Sequence, residues 1–137
     1  MNRSDRNHRT AHKRKGVLSM ELVLTLPILL VMLLGLLEFT LLFYSRSLVV
    51  EASRAGARLG TLNGVELTDV EQEVRRVLPP SFQAGVGISA ELGQQSGDLV
   101  RVAVSVPMNA ASPDLLWPIG LSLKNQDLYS ETRMVRE

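Results

Sequence analysis

Apolar and polar positions fall into distinct regimes along the chain. Residues 1–15 contain no apolar run. From Val17 the character flips, and Leu22 to Leu37 is sixteen residues without a charge, dominated by Leu, Val and Ile. The apolar character resumes after Glu38 with Phe39, Leu41, Leu42, Phe43 and Tyr44. A helix needs about 20 apolar residues to cross ~30 Å of hydrocarbon, and Leu22 to Tyr44 supplies twenty-three. A domain this small cannot enclose such a helix on all sides, so the pattern predicts one membrane-spanning helix.

The helical pattern continues beyond the apolar run. Arg46 to Leu59 has no proline, and Leu48, Ala52, Ala55 and Leu59 recur on one helical face. Ala52, Ser53, Ala55, Gly56 and Ala57 make this stretch small-sided, which suits close packing on the chain's own domain or on neighbouring copies or relatives. Glu38, Ala52, Ala55 and Gly56 are the candidate helix–helix contact positions. Gly60 or the Asn63-Gly64 pair ends the helix.

A second helix is signalled at Thr68, where Thr68-Asp69-Val70-Glu71 has capping-box spacing. Val70, Val74, Val77 and Leu78 form its apolar stripe, and Pro79-Pro80 stops it. The period then changes to two. Val86, Ile88, Ala90 and Leu92 alternate with smaller or polar residues, and Val100, Val102, Val104 and Val106 share one side of the next run. The turn-like Gly93 to Asp98 between them predicts a β-hairpin. Residues 107–121, with three prolines and Trp117, read as a loop over the sheet. Tyr129 to Val135 supplies a third strand. One side carries Tyr129, Glu131, Arg133 and Val135, and the other Ser130, Thr132 and Met134. The expected fold is α+β: a long N-terminal transmembrane helix extending out of the membrane, a short helix and a small antiparallel β-sheet. The expected divisions are a basic leader at 1–16, the helix with its extension at 17–62, and a small extracytoplasmic domain at 63–137.

Length and charge refine this. The last division has about 75 residues, where a single core is only marginally stable, so support from an adjoining helix or other subunits is expected. The first fifteen residues hold Arg3, Arg6, Arg9, Lys13, Arg14 and Lys15 against one acid, Asp5, a composition that favours disorder. Residues 46–137 carry nine Arg or Lys and eleven Asp or Glu, so the overall charge of +1 hides a basic head and a mildly acidic body. The charge gives no case for nucleic-acid binding. The basic flank places the N-terminus in the cytoplasm and the C-terminal domain outside a single-pass inner (cytoplasmic) membrane protein. A cleavable signal peptide fits poorly. The apolar stretch is too long, and the nearest small-x-small tripeptide, Ala55-Gly56-Ala57, lies eleven residues beyond Tyr44.

Enzyme chemistry is hard to find. There is no cysteine, which removes disulfides, thiolate metal sites and cysteine nucleophiles. The two histidines, His8 and His12, lie in the leader. The remainder therefore has no Ser-His-Asp triad or zinc-hydrolase ligand set. No Gly-rich phosphate loop is present, and Glu71 and Glu73 read as solvated residues on a helix surface. No catalytic residue, cofactor, metal or small-molecule substrate is expected. The residues that stand out are Gly16, Glu21 and Glu38. A carboxylate deep in a spanning helix costs about 2.5–3.5 kcal/mol on insertion scales, so it usually has a partner or a role. Glu21 lies one helical turn after Val17, where an ammonium at a new chain terminus would meet it.

The run Lys15-Gly16-Val17-Leu18-Ser19-Met20-Glu21 resembles a prepilin leader, with basic residues, a Gly before the cut and Glu at the fifth mature position. Leu26-Pro27, Gly35-Leu36-Leu37-Glu38-Phe39, Tyr44-Ser45-Arg46 and Glu51-Ala52-Ser53-Arg54-Ala55-Gly56-Ala57-Arg58 resemble the TadE-like proteins, pseudopilins of the tight-adherence (Tad/Flp) pilus system. The close likeness covers about residues 16–60. Further on, the strand content and the ending Thr132 to Glu137 look similar. The resemblance implies cleavage between Gly16 and Val17 by a membrane prepilin peptidase, a role for Glu21 in assembly or processing, and partners among membrane lipid and other pilin or pseudopilin subunits. Leu22 stands where major Flp pilins typically carry Tyr, and the chain is much longer than a major Flp pilin. Both departures point to a minor pseudopilin in pilus or secretion-machine assembly. The competing reading is an unprocessed, single-pass anchored extracytoplasmic binding module.

Overall fold

The computed structural model describes residues 5–137, and side chains from residue 19 onward. Arg3 and its neighbours in the first four residues lie outside the described residues. So do the side chains of His8, His12 and Val17.

The first element, α1, runs from Asp5 to Gly60 without interruption. It therefore begins inside the segment whose composition favours disorder. The physical reason is cooperative: no proline or glycine intervenes between Asp5 and Lys15, and once the apolar run is helical each added residue gains a hydrogen bond without new nucleation. Two compact units divide the chain, one up to Leu36 and the other Leu37–Glu137.

In the first unit, Met20, Leu22, Val23, Leu24 and Ile28 are all exposed. Pro27 sits within the helix, and its missing N–H deprives the Val23 carbonyl of its usual intrahelical donor. The Thr25 hydroxyl donates to the carbonyls of Glu21 (3.0 Å) and Leu22 (3.2 Å), which ties the preceding turn together. Ser19–Gly60 contains a segment long and apolar enough to cross a membrane. Only 6% of its most apolar window is buried, unlike the core helix of a soluble protein.

The second unit is built on the outer part of α1. After a turn with Gly64 at φ +82°, α2 spans Leu67–Val77. Its cap is Glu66, whose amide donates to Asp69 Oδ2 at 3.0 Å. The helix thus starts before the expected Thr68 cap. The same reciprocal logic operates with an acidic pair, because Asp69 can reach back to the Glu66 amide. Val70, Val74 and Leu78 are buried as their spacing requires. Pro79 ends the run and Pro80 opens the short α3, Pro80–Gln83, which buries Phe82.

The sheet is antiparallel in the order β1-β2-β3: β1 Gly87–Glu91, β2 Leu99–Pro107 and β3 Asp127–Val135. Register pairs Ala90 with Val102, and Val102 with Thr132. Val100, Val102, Val104 and Val106 all point into the core and are fully buried. Asp98 closes the β1–β2 turn by accepting from the Gln94 and Gln95 amides. The Arg136 guanidinium, which donates to the Gly93 carbonyl, holds the same turn.

Residues 65–137 do not make this core alone. Val49, Ala52 and Ala57 of α1 belong to the same buried cluster as Val70, Val74 and the β2 valines. An adjoining helix thus supplies the apolar area that about 75 residues lack. The connection from β2 to β3 contains α4, Met108–Ala111, and a single 3-10 turn at Trp117–Ile119. Met108, Ala110 and Ala111 pack against the core cluster that holds the β2 valines, and the connection then reaches α1 near Glu38 and Ser45.

Candidate functional site

The functional positions lie along α1. Gly16 and Val17 are within the helix, and their side-chain surroundings lie outside the described residues. Glu21 is exposed on α1, one turn beyond Val17. Its backbone carbonyl accepts the Thr25 hydroxyl.

Glu38 has a different environment. Its residue is only 3% exposed, and its Oε1 accepts from Ser112 Oγ at 3.3 Å and from the Leu115 amide at 3.1 Å. Two turns on, the Ser45 hydroxyl donates to the Ala111 carbonyl at 3.2 Å. These bonds staple the β2–β3 connection to α1. They explain how a carboxylate is retained next to an apolar run: its charge is met by donors of its own chain. Glu38 therefore has donors within its own chain.

The small-sided face of α1 serves the chain's own core. A Cβ on Gly56 would lie 2.6 Å from Val74 Cγ2 and 3.2 Å from Val102 Cγ1. One on Gly60 would lie 2.8 Å from Leu92 Cδ2. Only glycine lets α1 approach both α2 and the sheet this closely. Ala52 is fully buried in the same core, whereas Ala55 stays partly exposed. The close contact of Gly56 is with α2 of the same chain.

Ser53 is a residue that sequence reasoning did not single out as functional. Fully buried, its Oγ lies 3.0 Å from Ser130 Oγ and 2.8 Å from Thr132 Oγ1, and it donates to the Val50 carbonyl at 2.9 Å. The signal was present in the polar inner side of β3, which needs a polar partner on whatever covers it. Ser112 and Leu115 gave no such signal. On the outer sheet face, the Arg133 guanidinium and then the Tyr129 hydroxyl hold the Glu131 carboxyl below the usual glutamate range. Arg101 joins this network at 3.2 Å from Glu131. Among the described residues, no three His, Asp or Glu side chains are grouped as a metal ion would need.

Residues 16–58 match a family model described as TadE-like protein. This segment of the chain is similar to TadE-like proteins. The match begins at Gly16, takes in Glu21, Glu38, Ala52, Ala55 and Gly56, and stops just before Gly60. No curated protein and no solved structure matches the chain. The TadE-like segment thus covers the apolar helix and the part of α1 that seats the domain, while α2 and the sheet lie beyond it.

Proposed function

We propose that this protein is a minor pseudopilin, a structural and assembly component of a Tad/Flp-type pilus or secretion machine. The observation that carries the reading is the TadE-like match opening at Gly16, where a basic segment meets the apolar helix. In this account the basic N-terminus stays in the cytoplasm and a prepilin peptidase cuts between Gly16 and Val17. The helix remains in the membrane with the Leu37–Glu137 unit outside. The free Val17 amine, largely protonated at neutral pH, then sits in apolar surroundings when pilin-type helices pack together, where an unpaired charge is expensive. Glu21 of the same chain or of a neighbour neutralises it. The protein acts by assembly, with the outer sheet face and the exposed sides of α1 available to partner subunits.

Glu21→Gln keeps the side-chain size and removes the charge. In a strain lacking the wild-type copy, the variant should reach the membrane at near wild-type level while pilus assembly falls. Normal assembly by Glu21→Gln would remove this role from Glu21.

A further inference from the structure

Between Asp114 and Lys124 lie nine uncharged residues, Leu115 to Leu123, six of them large and apolar. Three of the six turn away from the core: Trp117 is 67% exposed, Ile119 54% and Leu121 60%. Five of the eight backbone amides of this segment donate to groups of the same chain. The Leu115 amide donates to Glu38, the Ile119 and Gly120 amides to the carbonyls of Leu116 and Trp117, and the Leu123 amide to Asp114 Oδ1. The Ser122 hydroxyl donates to Asp114 Oδ2. Apolar side chains thus point outward from a segment whose hydrogen bonds are turned inward. Water does not require that arrangement, but hydrocarbon does.

The position of the loop says what covers it. The groove beside it is lined by Glu38, Phe39, Leu42, Leu116, Leu121 and Leu123. Phe39 and Leu42 belong to the closing turns of the apolar run, where Phe39, Phe43 and Tyr44 are themselves exposed. Counted from Leu22, about 20 residues of helix traverse the hydrocarbon, which puts Glu38 to Leu42 where acyl chains give way to headgroups. The exposed loop is therefore continuous with the surface of α1 that faces lipid. Trp is favoured at this depth because its ring is apolar and its N–H is not. Lys124, on the exposed flank of the loop, is suited to the phosphate level.

The geometry points to a second membrane contact: the Leu115–Leu123 loop is a wedge that rests in the outer interface of the phospholipid bilayer beside α1. Glu38 is its positioning residue, holding the loop against the helix at that level. The wedge sets the height and tilt at which the Leu37–Glu137 unit stands on the membrane. This rests on α1 spanning the bilayer, but not on processing or pilus assembly.

Trp117 is the single tryptophan of the chain, so it reports on the loop without background. The full chain would be reconstituted into phosphatidylcholine vesicles and floated after an alkaline wash. Its fluorescence would then be recorded with phosphatidylcholine carrying a nitroxide either high on the acyl chain or near its methyl end. The wedge predicts blue-shifted emission, severalfold stronger quenching by the shallow nitroxide than by the deep one, and weak quenching by aqueous iodide. Emission like that of tryptophan in water, quenched by iodide and by neither nitroxide, would overturn the wedge. Blue-shifted emission insensitive to all three quenchers would also overturn it, by showing that a second copy of the chain covers the loop. A chain that floats but fails in either way loses the wedge alone. One that does not float loses the spanning helix as well.

Discussion

The Glu38 carboxylate and the Leu115 amide, seventy-seven residues apart in sequence, meet at 3.1 Å. Through this bond, and the adjoining one from Ser112, a residue of the apolar helix anchors the long β2–β3 connection. An orphaned buried donor costs about 1–3 kcal/mol. Glu38→Ala should therefore loosen residues 112–123, whereas Glu38→Gln, which retains an acceptor, should do so less. Amide hydrogen exchange of the full chain in detergent micelles reads this directly. The expected order at Leu115 is fastest exchange in Glu38→Ala, intermediate in Glu38→Gln and slowest in the wild type. Equal protection in all three would show that the bond does not hold the connection.

A second expectation concerns close approach. Gly56→Ala introduces a methyl group 2.6 Å from Val74 Cγ2, with β-branched valines on both sides and little room to yield. Overpacking of this kind costs typically ~1–3 kcal/mol. Arg54→Ala, on the exposed side of the same helix, should lie within ~0.5 kcal/mol of wild type. Urea-dependent proteolysis of the Leu37–Glu137 unit in the full chain compares the two. A Gly56→Ala protein as resistant as Arg54→Ala would contradict the packing described.

The outer sheet face gives a pH dependence with a definite sign. Arg133 first, and Tyr129 second, depress the Glu131 carboxyl in the folded chain. The group therefore contributes stability at pH values above its unfolded range, and that contribution is lost as pH falls through the folded value. Glu131→Gln should leave stability at acid pH nearly unchanged and slightly reduce it near neutrality. The difference should shrink as salt is added, because the network is exposed. Denaturation series at neutral and acid pH, with and without salt, check this. A variant gap that widens on acidification would reverse the sign.

Much of the fold was legible because it follows from local periodicity. The β2 valines alternate without exception and are buried without exception, and the third strand keeps Tyr129, Glu131 and Arg133 on one side as its alternation required. The apolar run announced a spanning segment by length alone. What local pattern could not supply was the partner of each polar residue. Glu38 stood out as a carboxylate needing an explanation, but its donors come from a proline-rich connection whose course no periodicity encodes. The start of α2 was displaced because Glu66 and Asp69 satisfy the same capping geometry that Thr68 and Glu71 suggested. The small residues of α1 were legible as a close-packing face. Whether that face served this chain or a neighbour depended on where α2 and the sheet folded back.

The central proposal is that this chain, similar to TadE-like proteins over residues 16–58, is a processed pseudopilin and not a simple membrane anchor. Intact-mass measurement of the protein purified from membranes of cells with an active prepilin peptidase tests it most directly. The account predicts a chain that begins at Val17, with Gly16→Leu accumulating the uncut form. A wild-type chain that keeps residues 1–16 in those cells would contradict it.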